Sequence, residues 1–237
     1  MSPACEDARV SDAPRRRPTP MPIPPGAGCV LLFGGSFDPP HAAHAELASL
    51  ARDAVFPGGD ARLVLIPAAR SPHKAVGPVA SGPSRVAMLR LAFRDDPRAS
   101  VWTEELDRAA QTGEASYFVD TIRAARALLG AGADLRFLIG ADQAASFHRW
   151  RAFREVLELG GPVVLPRSPL DTPERVLDAM AASGAWSGEE LAAWRGAIAE
   201  VGVLDARATD VRAGASRGVL APAVRAYIES HGLYAPA

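Results

Sequence analysis

From Cys29 onward, short runs of consecutive apolar residues alternate with longer stretches in which apolar residues return every three or four positions. The runs Cys29–Phe33, Arg62–Ile66, Leu135–Ile139 and Val163–Leu165 are short and almost unbroken, which predicts strands buried on both faces. Val101–Thr103 predicts a further short strand. Between them, Ala45–Arg52 is rich in Ala, Leu and Glu and predicts a helix. Pro83 suits a first helical position, and Val86, Leu89 and Phe93 then share one face. Phe118, Ile122, Ala125 and Leu129 form a second helical stripe that Gly130 ends. Phe153, Val156 and Leu157 mark a third, ending at Gly160-Gly161. Strand and helix in regular alternation predict an α/β fold, a doubly wound parallel sheet covered on both faces.

The alternation weakens over residues 168–204. Pro173–Ala182 and Glu189–Glu200 predict two helices divided by Gly184 and Gly188, with Trp186 and Trp194 as packing residues. A last helix starts at Pro222, carries Leu220, Val224, Tyr227 and Ile228 on one face, and stops at Gly232, giving a small C-terminal helical portion. Residues 1–27 read differently. Seven prolines fall between Pro3 and Pro25, around Arg15-Arg16-Arg17. Such a segment buries little and is expected to be a disordered tail, with Met21 as a candidate start and residues 28–237 as the domain. Glu6, Asp7 and Asp12 argue against a transit peptide, and the apolar stretch that follows is too short for a signal-peptide core.

Composition narrows the function. The 237 residues carry a formal net charge of −1, which gives no electrostatic case for nucleic acid or an anionic membrane. No apolar run approaches the roughly 20 residues a membrane span requires. Of the two cysteines, Cys5 lies in the tail and Cys29 in a core strand, so a structural disulfide is not expected and the cytoplasm fits.

The candidate chemistry sits between the first strand and the first helix, in Gly34-Gly35-Ser36-Phe37-Asp38-Pro39-Pro40-His41-Ala42-Ala43-His44. An open α/β sheet places its ligand at such a strand–turn–helix junction. Gly34 and Gly35 admit close approach of a ligand to the backbone, and positive φ where it is needed. Outward N–H groups and the dipole at the helix start favour an anion. His41 and His44, three apart, share a helical face and can donate to phosphoryl oxygens, carrying positive charge while doing so. The stretch lacks the second glycine of a nucleophile elbow, the lysine of a Walker loop and the spacing of a dinucleotide turn. No third ligand cluster accompanies the histidines, so no protein metal site is predicted. A phosphate-binding turn of another kind remains.

These eleven residues resemble the GGxFDPxHxGH signature of the nucleotidylyltransferase superfamily and, within it, the nicotinate-nucleotide adenylyltransferases. Ala43 stands where that family has glycine, adding a methyl near the nucleotide. The resemblance extends over residues 29–234 through further stretches. Pro67-Ala68-Ala69-Arg70-Ser71-Pro72-His73-Lys74 resembles a proline-rich segment ending in Pro-His-Lys, with alanines at 68 and 69 where asparagines are usual. Ser116-Tyr117-Phe118 resembles Ser-Tyr-Thr at a helix start. Ser116 can cap that helix, backbone N–H groups near Tyr117 can bind a carboxylate, and Phe118 replaces the threonine while fitting the apolar stripe. Gly140-Ala141-Asp142 resembles Gly-x-Asp, whose aspartate either accepts from the nucleotide or orders the turn. Trp150 resembles a tryptophan that stacks on the pyridine ring. Arg167 resembles an arginine near the adenine. Ala206–Arg212 resembles Ile-Ser-x-Thr-x-x-Arg: Thr209 and Arg212 match, and Arg207 replaces the serine.

The resemblance implies a Rossmann-like sheet and transfer of AMP from ATP to nicotinate mononucleotide, giving deamido-NAD and pyrophosphate. It implies His41, His44, Thr209 and Arg212 as the catalytic set. Gly34, Gly35, Ser36, Phe37, Gly140, Asp142 and Arg167 join them around ATP, and Ser36, Lys74, Tyr117 and Trp150 contact the acceptor. Magnesium is expected to accompany ATP, held by phosphates and water. Two other readings stay open: a nucleotidylyltransferase for nicotinamide mononucleotide or another phosphate acceptor, and a nucleotide-binding sensor without turnover, which Ala43, Ala69, Phe118 and Arg207 favour. An oligomerising scaffold built on the tail has only composition behind it.

Overall fold

The computed structural model describes residues 16–70, 76–201, 212 and 220–234. Five strands, β1 (Cys29–Gly35), β2 (Arg62–Pro67), β3 (Ala99–Val101), β4 (Asp134–Gly140) and β5 (Gly161–Leu165), form one sheet in the order β3-β2-β1-β4-β5. Every pairing is parallel. This is the Rossmann-like α/β architecture that the alternating pattern predicts. The chain builds outward from β1 to β3 and then returns to lay β4 beside β1. The crevice past the C-terminal ends of β1 and β4 is therefore the point where the order reverses and a ligand is expected.

Strand periodicity decides the core. Val30 and Leu32 of β1, Val64 and Ile66 of β2, and Leu135, Phe137 and Ile139 of β4 pack on one face. Leu31, Phe33, Leu63, Leu65 and Leu138 pack on the other. Helices α1 (Ala42–Val55) and α2 (Gly82–Ala92) cover the second face through Leu47, Ala48, Ala51 and Leu89. The first face is covered by α4 (Phe118–Leu129), α5 (Ala141–Ala145), α6 (Phe153–Leu159), α7 (Pro173–Ala181) and α8 (Gly188–Ala197). The last described helix, α9 (Pro222–Ser230), docks on α2, with Leu220 and Val224 against Ala80 and Met88. No helix among the described residues is long and apolar enough to cross a membrane.

Four details depart from the sequence-based expectation. β3 ends at Val101, and Trp102 turns fully into the core. The helix expected to reach Glu200 stops at Ala197, because Ile198 and Ala199 lie along the edge strand β5, with Ala199 N–H donating to the Val164 carbonyl at 2.9 Å. That contact covers part of an otherwise open sheet edge. Helix α3 (Glu104–Thr112) has no counterpart in the sequence reading, since it is mostly polar and its apolar face is only Leu106, Ala109 and Ala110.

The fourth concerns the N-terminal tail. Residues 16–27 are packed against the domain, not detached from it. Arg16 pairs with Glu104 at 2.6 Å, Thr19 N–H donates to the same carboxylate at 2.7 Å, and the Thr19 hydroxyl donates to Asp107 at 2.8 Å. The Trp102 indole N–H donates to the Thr19 carbonyl at 2.8 Å, and Met21 and Ile23 touch the core. The acidic first turn of α3 supplies the acceptors, so the fold begins upstream of Met21. Residues 1–15 lie outside the described residues.

Candidate active site

The turn after β1 is gripped from distant parts of the chain. Phe37, not a glycine, takes the left-handed backbone conformation at φ 46°. Its ring packs edge-on against Phe33 and His44. Gly35 leaves room for that ring: a Cβ there would lie 3.0 Å from it and press it outward by a few tenths of an ångström. Asp38 is buried, and its carboxylate accepts from Val79 N–H at 2.7 Å, Ala80 N–H at 3.0 Å and the Tyr234 hydroxyl at 2.6 Å. Burial and the Asp38 carboxylate push the Tyr234 pKa up, so the phenol stays a donor. Buried Arg85 donates to the Ser36 carbonyl at 2.8 Å, and Arg212 donates to the Asp38 carbonyl at 2.6 Å.

His41 and His44 follow at the start of α1. The His41 backbone N–H donates to His44 Nδ1 at 3.2 Å, which assigns the neutral His44 ring as the Nε2–H tautomer. The ring centroids are 3.7 Å apart. Burial, and then the charge of Arg167, lower the His41 pKa to about 4. The sequence allowed two protonated imidazoles here, whereas the structure keeps His41 neutral at pH 7. Its Nδ1 is buried with no hydrogen-bond partner among the described residues. Arg167 makes no ion pair among the described residues. A phosphate set between Arg167 and His41 would relieve their repulsion and raise the imidazole's proton affinity.

A second pocket opens beside this turn. Its walls are Gly34, Gly35 and Ser36 on one side and Tyr117, Phe118 and Trp150 on the other, with Glu105, Ser116, Gln143 and Arg151 around them. Phe118 meets Trp150 edge-on at 5.6 Å between centroids and also contacts Phe137. Phe118 is thus a wall of the pocket as well as part of the helical stripe. Tyr117 occupies the N-cap of α4 without a side-chain cap. Ser116, expected to cap that helix, instead accepts from Ala69 N–H at 3.1 Å and ties the segment after β2 to this wall. At the end of β4, the Asp142 carboxylate folds back over Gly140, where a Cβ would lie 2.8 Å from it and turn it aside. Ala43, in the first turn of α1, is buried in the core cluster that also holds Phe33 and Phe37. Lys74, Thr209 and Arg207 lie outside the described residues.

A family model described as cytidylyltransferase-like matches residues 32–212, a span that runs from β1 to Arg212. The chain belongs to the cytidylyltransferase-like family. A curated relative from Stenotrophomonas maltophilia (strain K279a), named "Probable nicotinate-nucleotide adenylyltransferase", is 36% identical over 217 residues, covering 86% of this chain and 96% of the relative. One of the same name from Laribacter hongkongensis (strain HLHK9) is 38% identical over 214 residues, covering 86% and 93%. Among solved structures, a Plasmodium falciparum nicotinic acid mononucleotide adenylyltransferase complexed with NaAD superposes with a TM-score of 0.59 at 12% identity, over 86% of this chain and 96% of that one. At that identity the superposition speaks for the fold alone.

Within the family frame, three residues of the site were not found in the sequence. Glu105 reads as one of several acids opening α3, yet it is buried in the pocket wall, accepts from the Thr121 hydroxyl at 2.8 Å, and has its pKa pushed up by burial. Arg151 reads as a surface charge after Trp150. Tyr234 lies 196 positions from the Asp38 it holds. The neighbouring Trp150 was the available signal for Arg151, and the resemblance of Val219–Tyr234 to the family's C-terminus was the signal for Tyr234; nothing local to the sequence points to Glu105.

Proposed function

We propose that this chain transfers AMP from ATP to nicotinate mononucleotide, giving deamido-NAD and pyrophosphate. The observation that carries the reading is the gathering of His41, His44, Arg167 and Arg212 around the Gly34–Asp38 turn, at the reversal point of a parallel sheet and next to an aromatic pocket. The family membership and the names of full-length relatives support it. In this reaction an oxygen of the acceptor's 5′-phosphate forms a bond to the α-phosphorus of ATP. The bond from that phosphorus to the bridging oxygen breaks, and pyrophosphate leaves with the electron pair. No protein nucleophile is needed; the protein aligns the two phosphates and stabilises the charge that develops.

The roles divide along the crevice. The Gly34-Gly35 turn admits the triphosphate close to the backbone, with Phe37, Gly140 and Asp142 bordering the nucleotide. His44, neutral as its Nε2–H tautomer, and His41, whose proton affinity rises as phosphate arrives, donate to the transferring group. Arg167 and Arg212 supply fixed positive charge, and Thr209 completes the set in this reading. Tyr117 and Trp150 flank the pyridine ring, while Ser36 and Lys74 approach the acceptor. Magnesium enters as part of the substrate, MgATP. The reading places the reaction in the cytoplasm. The test is pyrophosphate release from MgATP with nicotinate mononucleotide, with nicotinamide mononucleotide and with neither. Release dependent on the nicotinate form is expected; release only with the nicotinamide form changes the acceptor, and ATP binding with no release under any condition overturns the reading.

A further inference from the structure

The aromatic pocket contains a group suited to a task its other walls cannot perform. A pyridine carrying a carboxylate and one carrying a carboxamide have nearly the same planar shape. Apolar walls such as Tyr117, Phe118 and Trp150 discriminate weakly between isosteres. The difference is charge, so it has to be read by an ionisable group or by oriented dipoles. Oriented dipoles are available in the backbone N–H groups near Tyr117, and among the described residues lining the pocket one acidic and one basic side chain are present: Glu105 and Arg151.

These two are held in opposite ways. Glu105 is fully enclosed and committed to protein partners: it accepts from the Thr121 hydroxyl, which in turn accepts from Arg108 at 3.0 Å. An ionised Glu105 would repel a carboxylate, but burial pushes its pKa up and its neighbours occupy it. Arg151 is exposed at the mouth. Its guanidinium lies over the Tyr117 ring, 4.7 Å from the centroid. It forms no ion pair among the described residues. Nearby surface arginines do: Arg154 pairs with Glu190 at 2.7 Å and Arg123 with Glu155 at 2.6 Å. The Tyr117 face gives the guanidinium a seat beside the pocket, its N–H groups make no hydrogen bond among the described residues, and a planar fork of donors matches a carboxylate in two parallel hydrogen bonds.

We propose that Arg151 is the specificity-determining residue of the ring pocket: stacked on Tyr117, it takes the carboxylate of the acceptor's pyridine ring and so selects the acid over the amide. The inference rests on the acceptor reading given above and goes one step further, naming the side chain that makes the choice. It also accounts for the loss of amide side chains at Ala68 and Ala69, since a cation at the mouth replaces neutral hydrogen bonds in holding the ring.

The test compares kcat/KM for nicotinate and nicotinamide mononucleotides in the wild type, Arg151→Gln and Arg151→Lys. A hydrogen-bonded charge pair of this kind predicts that the acid-to-amide selectivity ratio falls about tenfold or more in Arg151→Gln, through KM for the acid. Arg151→Lys keeps the charge without the fork and retains part of the ratio. Calorimetric titration of nicotinate mononucleotide alone into wild type and Arg151→Gln reads the same loss without turnover. A ratio within about twofold of wild type in Arg151→Gln overturns the proposal, as does an equal loss with both acceptors, which would mean that the arginine only props the Tyr117 wall. A larger shift of the ratio in Glu105→Gln than in Arg151→Gln overturns it in favour of the buried acid. A wild type that turns over neither acceptor is a different result: it removes the acceptor reading and this inference with it.

Discussion

The two ends of the crevice are built by different means. At the phosphate end, residues 36–38 are held by polar contacts from Val79, Ala80, Arg85, Arg212 and Tyr234, drawn from three separate segments of the chain. At the ring end, Phe118, Phe137, Phe147 and Trp150 touch one another through their faces and edges, and among the described residues the pocket's one cation is the exposed Arg151. Hydrogen bonds are directional and fix a backbone to within tenths of an ångström, whereas aromatic contacts tolerate tilt and substitution. Transfer between phosphates needs the first kind of control, because alignment of the reacting atoms supplies much of the rate. Selection of a flat ring needs only the second. Among the described residues the departures from the family pattern fall accordingly, Arg207 lying outside them: Ala68, Ala69 and Phe118 lie at the ring end. Ala43, the one departure in the signature stretch, is turned into the core.

The largest effect expected from breaking this arrangement is at His44. Replacing it with alanine should lower kcat by about 10²–10³, the scale of one lost donor to a developing charge, with KM for the acceptor nearly unmoved. An unchanged kcat would remove the imidazole from the chemistry and blur the division between the two ends.

A smaller effect should follow at Tyr234, which touches no substrate and acts through Asp38. Tyr234→Phe deletes one hydrogen bond to a buried carboxylate and should reduce unfolding free energy by about 1.5–3 kcal/mol in denaturant titrations. Because Asp38 also carries the carbonyl that holds Arg212, KM for ATP should rise in the same variant while KM for the acceptor does not. Equal changes in both would show a general loss of structure.

The smallest effects are in pH dependence, and they differ in sign between the two ends. With its folded pKa at about 4, His41 stays unprotonated while the imidazole of the unfolded chain, with its ordinary value of 6.5, takes up a proton. Its contribution to stability is therefore complete above pH 6.5 and lost as the pH falls toward 4. Glu105 has a raised pKa, so its contribution is complete below the ordinary carboxylate value of 4.5 and is lost as the pH rises. His41→Asn should flatten the acid side of the stability profile, and Glu105→Gln should flatten the side above it. Profiles unaltered by either change would contradict the burial assigned to these groups.

Much of the phosphate end was legible in the sequence because it is local. Gly34 to His44 is one continuous stretch whose residue types state their chemistry, and the strands β1, β2, β4 and β5 announce themselves by unbroken apolarity. What was not legible depends on contacts distant in the chain or on burial of residues that look like surface. Arg16 and Thr19 sit among prolines and read as tail, yet their partners, Glu104 and Asp107, lie more than 80 positions away. Asp38 reads as part of a turn, while its role as a hub depends on Tyr234. Glu105 and Arg151 are charged residues with no pattern to separate them from solvated neighbours. The placement of Trp102 and the early end of α8 likewise follow from what the sheet edge needs covered.

The division of labour is tested most directly by combining one change from each end. The His44→Ala and Arg151→Gln variants and their double variant would be measured with MgATP and nicotinate mononucleotide. None of His41, His44, Arg167 and Arg212 lines the ring pocket, so the two changes share no partner there. Independent sites predict losses in kcat/KM that multiply, the free energies adding to within about 0.5 kcal/mol. A double variant no worse than His44→Ala alone would contradict the account, showing that the ring end works only through the chemistry at the phosphates.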